Sequence, residues 1–168
     1  MRRKPRVLFF STGNATRSKM AAAFLARVAG EELGATSTAV RSVEANPLAM
    51  EVMSEVGIDI SGQPAAPVAE SLKEHFTCVV TLSDDAKERS PVWPFTRNVV
   101  HWNLADPAAV DGPPERQREV FRRVRDEIRE RVIEFATRVA PELQGRGLAA
   151  GAAAGAGPGR AADTKRVA

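Results

Sequence analysis

The chain has 168 residues, of which 43% are hydrophobic and 27% charged, proportions that suit a single globular domain with its own apolar core. No apolar run approaches the roughly 18 residues that cross a bilayer. The basic start at residues 1–6 is followed by only four apolar residues before Ser11, which is too few for a signal peptide. We therefore expect a cytoplasmic protein that does not bind membranes.

The net charge of +3 and the pI near 9.5 raise the question of nucleic-acid binding. The excess of positive charge comes from residues 145–168, which contain four basic residues and one acidic residue, Asp163. The rest of the chain then holds 20 of the 24 basic residues and 20 of the 21 acidic ones, so it is neutral. A neutral body with a basic tail does not indicate a nucleic-acid partner.

The first predicted element is a buried parallel strand at residues 7–10, a short continuous apolar run. Thr12, Gly13 and Asn14 follow with turn-forming side chains, and from Arg17 onward apolar residues recur at helical spacing. Backbone N–H groups at such a helix start form an anion site together with the positive end of the helix dipole. Arg17 adds a guanidinium suited to a tetrahedral oxyanion, although an ordinary strand-to-helix turn with an exposed Arg would have the same pattern.

Three further strands are predicted, at residues 36–42, 76–82 and 98–102. The predicted helices are one opened by Asn46-Pro47 and closed by Gly57, a short one at 67–72, a turn capped by Ser83 or Asp84, and a long one from near Pro114. Strands that alternate with helices indicate an α/β fold with right-handed crossovers. We expect three layers, with a four-stranded parallel sheet flanked by helices and the anion loop directly after the first strand.

The single cysteine, Cys78, lies in the apolar strand predicted at residues 76–82. One cysteine excludes an internal disulfide and a metal site of several cysteines, and we interpret Cys78 as a small buried hydrophobe. Beyond residue 143, Gly and Ala dominate and leave little to bury. We therefore predict a domain over residues 1–143 and a disordered tail over residues 144–168.

Residues 11–18 resemble the phosphate-binding loop of the low-molecular-weight tyrosine phosphatases, and most of all that of their thioredoxin-coupled arsenate reductase branch. That loop is a Cys, five residues and an Arg-Ser pair; the residues that match it are Thr12, Gly13, Asn14, Arg17 and Ser18. Ser11 stands where the nucleophilic Cys belongs, and Thr16 where a second Cys often lies. The resemblance implies a phosphatase-type cradle for phosphate, arsenate or a phosphorylated partner, formed by Thr12, Gly13, Asn14, Ala15, Thr16, Arg17 and Ser18.

The resemblance extends over about residues 6–139. Ser83 and Ser90 stand where the arsenate reductases have two further redox cysteines, and His101-Trp102 is similar to a His-Trp element of that branch. Asp106, in an Asp-Pro pair, stands at the position of the family's general acid. The resemblance therefore assigns Asp106 the protonation of a leaving oxygen.

Some arsenate reductases bind potassium near this loop through an Asn, a Ser and two acidic residues. Asn14 and Ser37 match these ligands, but Ala22 and Ala66 stand at the two acidic positions. We therefore expect no potassium, no other metal and no cofactor.

The serine positions decide the expected chemistry. A loop cysteine works because its pKa of ~8.5 is lowered below about 7 by a helix dipole and a nearby cation. A serine hydroxyl starts several units higher and normally needs an adjacent base, and the family pattern places neither His75 nor His101 for that task. Ser11, Ser83 and Ser90 also lack the sulfur for a disulfide relay. Catalysis of the family type is not expected.

Two origins of these serines are open, an engineered Cys-to-Ser form and natural divergence. Thr16, Ala22 and Ala66 favour divergence, because an engineer removing catalytic cysteines has no reason to change those positions. The retained Cys78 also argues against a systematic removal of cysteines.

Three functions are open. The favoured one is a catalytically silent protein that binds a tetrahedral oxyanion in the loop of residues 11–18. The second is an arsenate reductase or low-molecular-weight tyrosine phosphatase whose activity is hidden by substitution or uses another group. The third is a partner-binding scaffold with a vestigial site.

Overall fold

A computed structural model describes residues 3–12, 15–40, 44–62, 65–96 and 98–143. Strands and helices alternate along these residues. In chain order the elements are β1 (Arg6–Ser11), α1 (Thr16–Ala29), β2 (Gly34–Ala39), α2 (Pro47–Ser54), β3 (Ala66–Pro67), α3 (Val68–Ser71), β4 (Cys78–Thr81), α4 (Asp84–Glu88), β5 (Asn98–His101), a 3-10 turn (Pro107–Ala109) and α5 (Pro114–Arg138).

The strands form one parallel sheet in the order β3-β2-β1-β4-β5. In this register Phe10 of β1 pairs with Thr38 of β2 on one side and with Thr81 of β4 on the other. The carboxyl ends of the three central strands therefore meet at one edge of the sheet. Ligands of open parallel sheets bind at that edge.

Strand β1 is central because its apolar run has no polar face to leave in water. All four side chains of residues 7–10 are 0% exposed. Val7 and Phe9 join the larger core, which includes residues of α1, α2 and α5, whereas Leu8 and Phe10 join a second core with Val79 of β4. Residues of α3 and α4 pack against that second core, so helices cover both faces of the sheet.

The sheet has one more strand than the four that the sequence predicts. Strand β3 is only two residues long and contains Pro67, and it pairs with Thr38 and Ala39 of β2 as an outermost strand of the sheet. A strand of this length has no alternating pattern, and a proline within it has no N–H for a ladder hydrogen bond. The helix predicted at residues 67–72 is present as the single turn of α3.

The other predicted elements are present with shifted ends. Strand β2 begins at Gly34, and residues 41–43, in which its predicted end falls, lie outside the described residues. Helix α2 begins with Asn46 as cap, and Gly57 (φ 76°) follows in the left-handed region that glycine adopts without strain. Helix α4 begins with Ser83 rather than Asp84 as cap.

Cys78 is buried at 0% exposure in β4, as predicted from the apolar run. Among the described residues no helix is long and apolar enough to cross a membrane. The predicted tail, residues 144–168, lies outside the described residues, so its disorder stays a prediction.

Ion pairs join α2 to α5 beside the larger core. Glu55 accepts hydrogen bonds from Nε and Nη2 of Arg122 at 2.9 and 2.6 Å and from Nη1 of Arg125 at 2.9 Å. Arg125 is 9% exposed and also donates to the Val52 carbonyl at 2.9 Å. The hydrogen bonds from Arg122, followed by those from Arg125, lower the pKa of Glu55 to about 2.

We predict that Glu55→Gln destabilises the protein at neutral pH, because the buried Arg125 loses one of its two charged partners and keeps only Asp126, and Arg122 loses the carboxylate that it contacts. The pKa of Glu55 is lowered in the folded protein. Its contribution to the free energy of unfolding is therefore present above the ordinary pKa of 4.5 and is lost as pH falls toward about 2. Urea unfolding of both proteins from neutral pH to about pH 2 measures this. Glu134→Gln, in an exposed pair with Arg138, is the matched control. A difference between wild type and Glu55→Gln that does not change over this pH range would contradict the prediction.

Candidate oxyanion site

The predicted anion loop begins where β1 ends, at the carboxyl edge of the sheet. Ser11, the last residue of β1, is 1% exposed, and Ser18 in the first turn of α1 is 0% exposed. Gly13 and Asn14 lie outside the described residues, so the middle of the loop stays a prediction. The described part of the loop is Thr12 and Ala15 to Ser18.

Ser11 lies in a short chain of hydroxyl hydrogen bonds. Its Oγ donates to Ser18 Oγ at 2.9 Å, and Ser18 Oγ donates to the Ala15 carbonyl at 3.0 Å. The chain ends on a carbonyl oxygen, which is not a base that takes up a proton. The described contacts therefore give Ser11 a hydrogen-bond acceptor but no general base.

The residue before α1 has an unusual backbone. Ala15 has φ 55° and ψ 6°, in the left-handed region, and it is 0% exposed against Ala39 and Ala65. A left-handed residue next to right-handed ones is the arrangement of a backbone nest, which gathers N–H groups around an anion. For a residue other than glycine this backbone costs about 1–2 kcal/mol. The methyl side chain of Ala15 fits the left-handed backbone and the confined space beside Ala39 and Ala65.

Arg17 is the buried cation of the site. Its side chain extends from the first turn of α1 to the loop after β5, where Nη1 donates to the Leu104 carbonyl at 2.9 Å. The residue is 7% exposed, and burial lowers the pKa of its guanidinium while the carboxylates of Asp106 and Asp85 act in the opposite direction. The Arg17 guanidinium therefore lies close enough to the Asp106 and Asp85 carboxylates to interact with their charges.

A backbone ladder positions the Leu104 carbonyl. Leu82 N–H donates to the Phe10 carbonyl at 3.0 Å, and Leu104 N–H donates to the Leu82 carbonyl at 3.2 Å. The loop after β5 is thus fixed through β4 to β1, the strand from which the anion loop leaves. Sequence reasoning missed Leu104, because a backbone carbonyl has no residue-type signal.

Asp106, at the predicted general-acid position, lies at the same edge and is exposed. Its Oδ1 accepts from the Ala108 N–H at 3.0 Å and caps the 3-10 turn. The structure therefore brings Asp106 near Arg17, and it also gives Asp106 a local structural role.

Ser83 and Ser90 each use a side-chain oxygen in a hydrogen bond. Ser83 Oγ accepts from the Ala86 N–H at 3.1 Å at the start of α4. Ser90 Oγ accepts from Trp93 Nε1 at 2.8 Å, and the buried Trp93 ring packs edge-on against Phe10 with centroids 5.8 Å apart. The two predicted redox positions therefore serve as a helix cap and an indole acceptor.

Neither histidine contacts Ser11. His101 Nδ1 lies 2.8 Å from Thr81 Oγ1, and its Nε2 lies 2.9 Å from Asp84 Oδ1. His75 stacks on Phe95 with ring centroids 4.2 Å apart. Sequence reasoning missed the contacts of His101, although a Thr at a strand end and a His at the end of the next strand are compatible with them.

The positions compared with a potassium site are spread over three elements. Ser37 lies in β2, Ala22 in α1 and Ala66 in β3, and Asn14 falls outside the described residues. Within the described ranges no group of three or more His, Cys, Asp or Glu is placed to hold a metal ion.

Comparison with known proteins matches this chain over almost all of its described part. The family model of low molecular weight phosphotyrosine protein phosphatase matches residues 6–145. An arsenate reductase of Halalkalibacterium halodurans is 38% identical over 130 residues, which cover 77% of this chain and 94% of that protein.

Solved structures agree in fold. A structure described as an arsenate reductase in the phosphate binding state superposes with a TM-score of 0.67 at 31% identity, covering 80% of this chain and 98% of that one. A low molecular weight protein tyrosine phosphatase from T. tengcongensis superposes with a TM-score of 0.60 at 25% identity, covering 78% and 96%.

We predict that Cys78, the single thiol of the chain, does not react in the folded protein. It lies in the sheet rather than in the loop, and burial raises its pKa to about 12, so the thiolate is scarce at ordinary pH. Ellman's reagent at mildly alkaline pH measures this, with a guanidinium-unfolded sample as the control for full reactivity. Rapid reaction of the native protein at the rate of the unfolded one would contradict the prediction.

Proposed function

The chain belongs to the low molecular weight phosphotyrosine protein phosphatase family, and on that premise we propose that it binds a tetrahedral oxyanion in the loop of residues 12–18 without the thiol chemistry of its relatives. The proposed ligand is phosphate, arsenate or the phosphate group of a partner protein.

The observation that carries this proposal is the buried Arg17 at the start of α1. A buried guanidinium is costly unless it is paired, and among the described residues one backbone carbonyl and two nearby carboxylates accompany it. A tetrahedral anion at the helix start would add charge-assisted hydrogen bonds to the same guanidinium and to the first N–H groups of α1. The relative whose structure is described in a phosphate binding state supports the same ligand class.

Three features of the chain support catalytic silence. The Ser11 hydroxyl is hydrogen-bonded within the loop and has no histidine beside it. The oxygens at positions 83 and 90 have structural partners of their own. The remaining thiol, Cys78, is buried in β4. We infer that Ser11, Ser83 and Ser90 stand in place of the cysteines of an ancestral enzyme.

The second candidate is an active arsenate reductase, and the identity to an arsenate reductase over most of the chain favours it. It requires a group other than a thiol at Ser11, or a chain whose natural residues there are cysteines. A scaffold with a vestigial site is the third candidate, and it predicts no anion binding.

We predict that the wild-type chain binds phosphate and arsenate and that Arg17→Ala weakens binding by about tenfold to a hundredfold, since hydrogen bonds to charged groups contribute about 1.5–3 kcal/mol. Arg17→Lys should bind with intermediate affinity, because it keeps the charge and loses the fork geometry. Isothermal titration calorimetry measures the affinities.

Arg138→Ala, on the exposed end of α5, removes the same charge away from the site and serves as control. Equal affinity of wild type and Arg17→Ala would contradict the proposed site. No heat with any of the anions would favour the vestigial scaffold.

We predict that activity returns stepwise when sulfur is placed in the loop and then in the segment after β4. Ser11→Cys alone should hydrolyse an aryl phosphate, because the new thiol gains the helix start and Arg17 and its pKa should fall below about 7. Adding Ser83→Cys and Ser90→Cys should permit arsenate reduction with thioredoxin as reductant. Arsenite formation and mass mapping of the disulfide measure the second step.

The wild-type chain and the Ser11→Cys/Asp106→Asn double variant are the controls for the first step. Aryl phosphate hydrolysis by the wild-type chain would remove the claim of silence. A Ser11→Cys variant that binds anion but has no activity would show that the loop has diverged further than its sequence indicates. Equal activity of Ser11→Cys and the double variant would show that Asp106 does not act as the general acid in this chain. Failure of the triple variant to form a disulfide between positions 83 and 90 would favour a phosphatase over a reductase ancestry.

A further inference from the structure

A charged cavity lies at the other end of the sheet from the anion loop. Its volume is about 410 Å³, and the basic side chains that line it are Arg3, Lys4, Arg6 and Lys73. Arg6 begins β1 and Thr77 directly precedes β4, so the cavity opens at the amino ends of the strands. The anion loop leaves from the carboxyl ends of the same strands, so the two places are separated by the length of the sheet.

The cavity concentrates positive charge. Four basic side chains face one carboxylate, Glu74, which gives a local formal charge of +3. The body of the chain up to residue 144 is neutral, with 20 basic and 20 acidic residues, so this end is polarised against the rest of the molecule. Like charges around one cavity repel each other, and a bound anion would relieve that repulsion.

Two of the four cations have structural partners. Lys4 Nζ donates to the Gly30 carbonyl at 2.9 Å, at the carboxyl end of α1, where a cation is favourable to the helix dipole. Arg6 forms an ion pair with Glu74 and lies over the Phe76 ring, 4.8 Å from its centroid. Stabilisation of the fold therefore explains Lys4 and Arg6.

Stabilisation of the fold does not explain Arg3 and Lys73. Both are exposed and line the cavity, and neither side chain forms a hydrogen bond or ion pair with any of the residues that the structure describes. Their charges are added to a cavity whose single carboxylate is already paired with Arg6. Two unneutralised cations on a concave surface are the feature that an anionic ligand would use.

We propose that this cavity binds a small ligand that carries several negative charges, of the oligophosphate or polycarboxylate class. A volume of about 410 Å³ lies within the roughly 300–1,000 Å³ of small-molecule sites, whereas a polymer is usually bound along an open stripe of charge. The guanidinium fork of Arg3 matches phosphate and carboxylate oxygens alike. The inference is independent of the function proposed for the anion loop.

The test is calorimetric titration of the full-length chain with sodium tripolyphosphate, and separately with citrate, at physiological ionic strength. The Arg17→Ala variant is titrated in parallel, because its weakened anion loop separates binding in the cavity from binding in the loop. Binding should persist in Arg17→Ala and should be weakened about tenfold or more by Arg3→Ala/Lys73→Ala, because both lost cations line the cavity. The tighter of the two ligands identifies the class.

The matched control is Arg123→Ala/Arg129→Ala, which removes the same two charges from exposed positions on α5. Equal weakening by this control would reveal general attraction to a basic protein and would overturn the proposal. Loss of all binding in Arg17→Ala would place the ligand in the anion loop and also overturn it. A single-stranded oligonucleotide that displaces tripolyphosphate with more than about tenfold higher affinity would make the occupant a nucleic acid and the proposal wrong.

Discussion

The burial of β1 between two parallel neighbours is the constraint on which both ends of the molecule depend. Its apolar residues are fully buried and its register with β2 and β4 is continuous, so a slip by one residue would exchange the side chains that pack in the two cores. The backbone ladder from Phe10 through Leu82 to Leu104 extends this pairing beyond the strands. The carbonyl that holds Arg17 is therefore fixed to the same strand that carries Ser11 into the loop.

Parallel strands give the two edges of the sheet opposite electrostatic character. Helix starts gather at the carboxyl edge, where Arg17 is buried and where we propose that a tetrahedral anion binds. Helix ends gather at the amino edge, where Lys4 neutralises a terminal carbonyl of α1. Lys4 and Arg17 therefore have different tasks. At the amino edge the cationic charge, with Arg3 and Lys73, exceeds what the adjoining helix end and carboxylate use.

Much of this arrangement follows from sequence pattern. The apolar run of β1, the long stripe of α5, and the Asn46 and Ser83 caps all have strong local signals, and the structure has each of them. What the sequence could not predict depends on tertiary contact. Strand β3 exists only because its two residues meet Thr38 and Ala39, and Leu104 contributes a carbonyl that any residue type has. The role of Gly13 and Asn14 in anion binding stays a prediction from the sequence.

The side chains of Ser11, Ser83 and Ser90 share the property of forming hydrogen bonds, which bears on how such a site loses or gains catalytic activity. Each takes part in an oxygen hydrogen bond of ordinary length, between 2.8 and 3.1 Å, and two of the three accept from a buried or helix-terminal N–H. A thiol is larger, a weaker acceptor and a weaker donor, so it would lengthen each of these contacts. The anion loop, the start of α4 and the Trp93 anchor are therefore built for hydroxyl groups. Under the proposed function, hydroxyl groups in place of thiols remove the nucleophile at position 11, and at positions 83 and 90 they form hydrogen bonds within the segment that a redox relay would have to move.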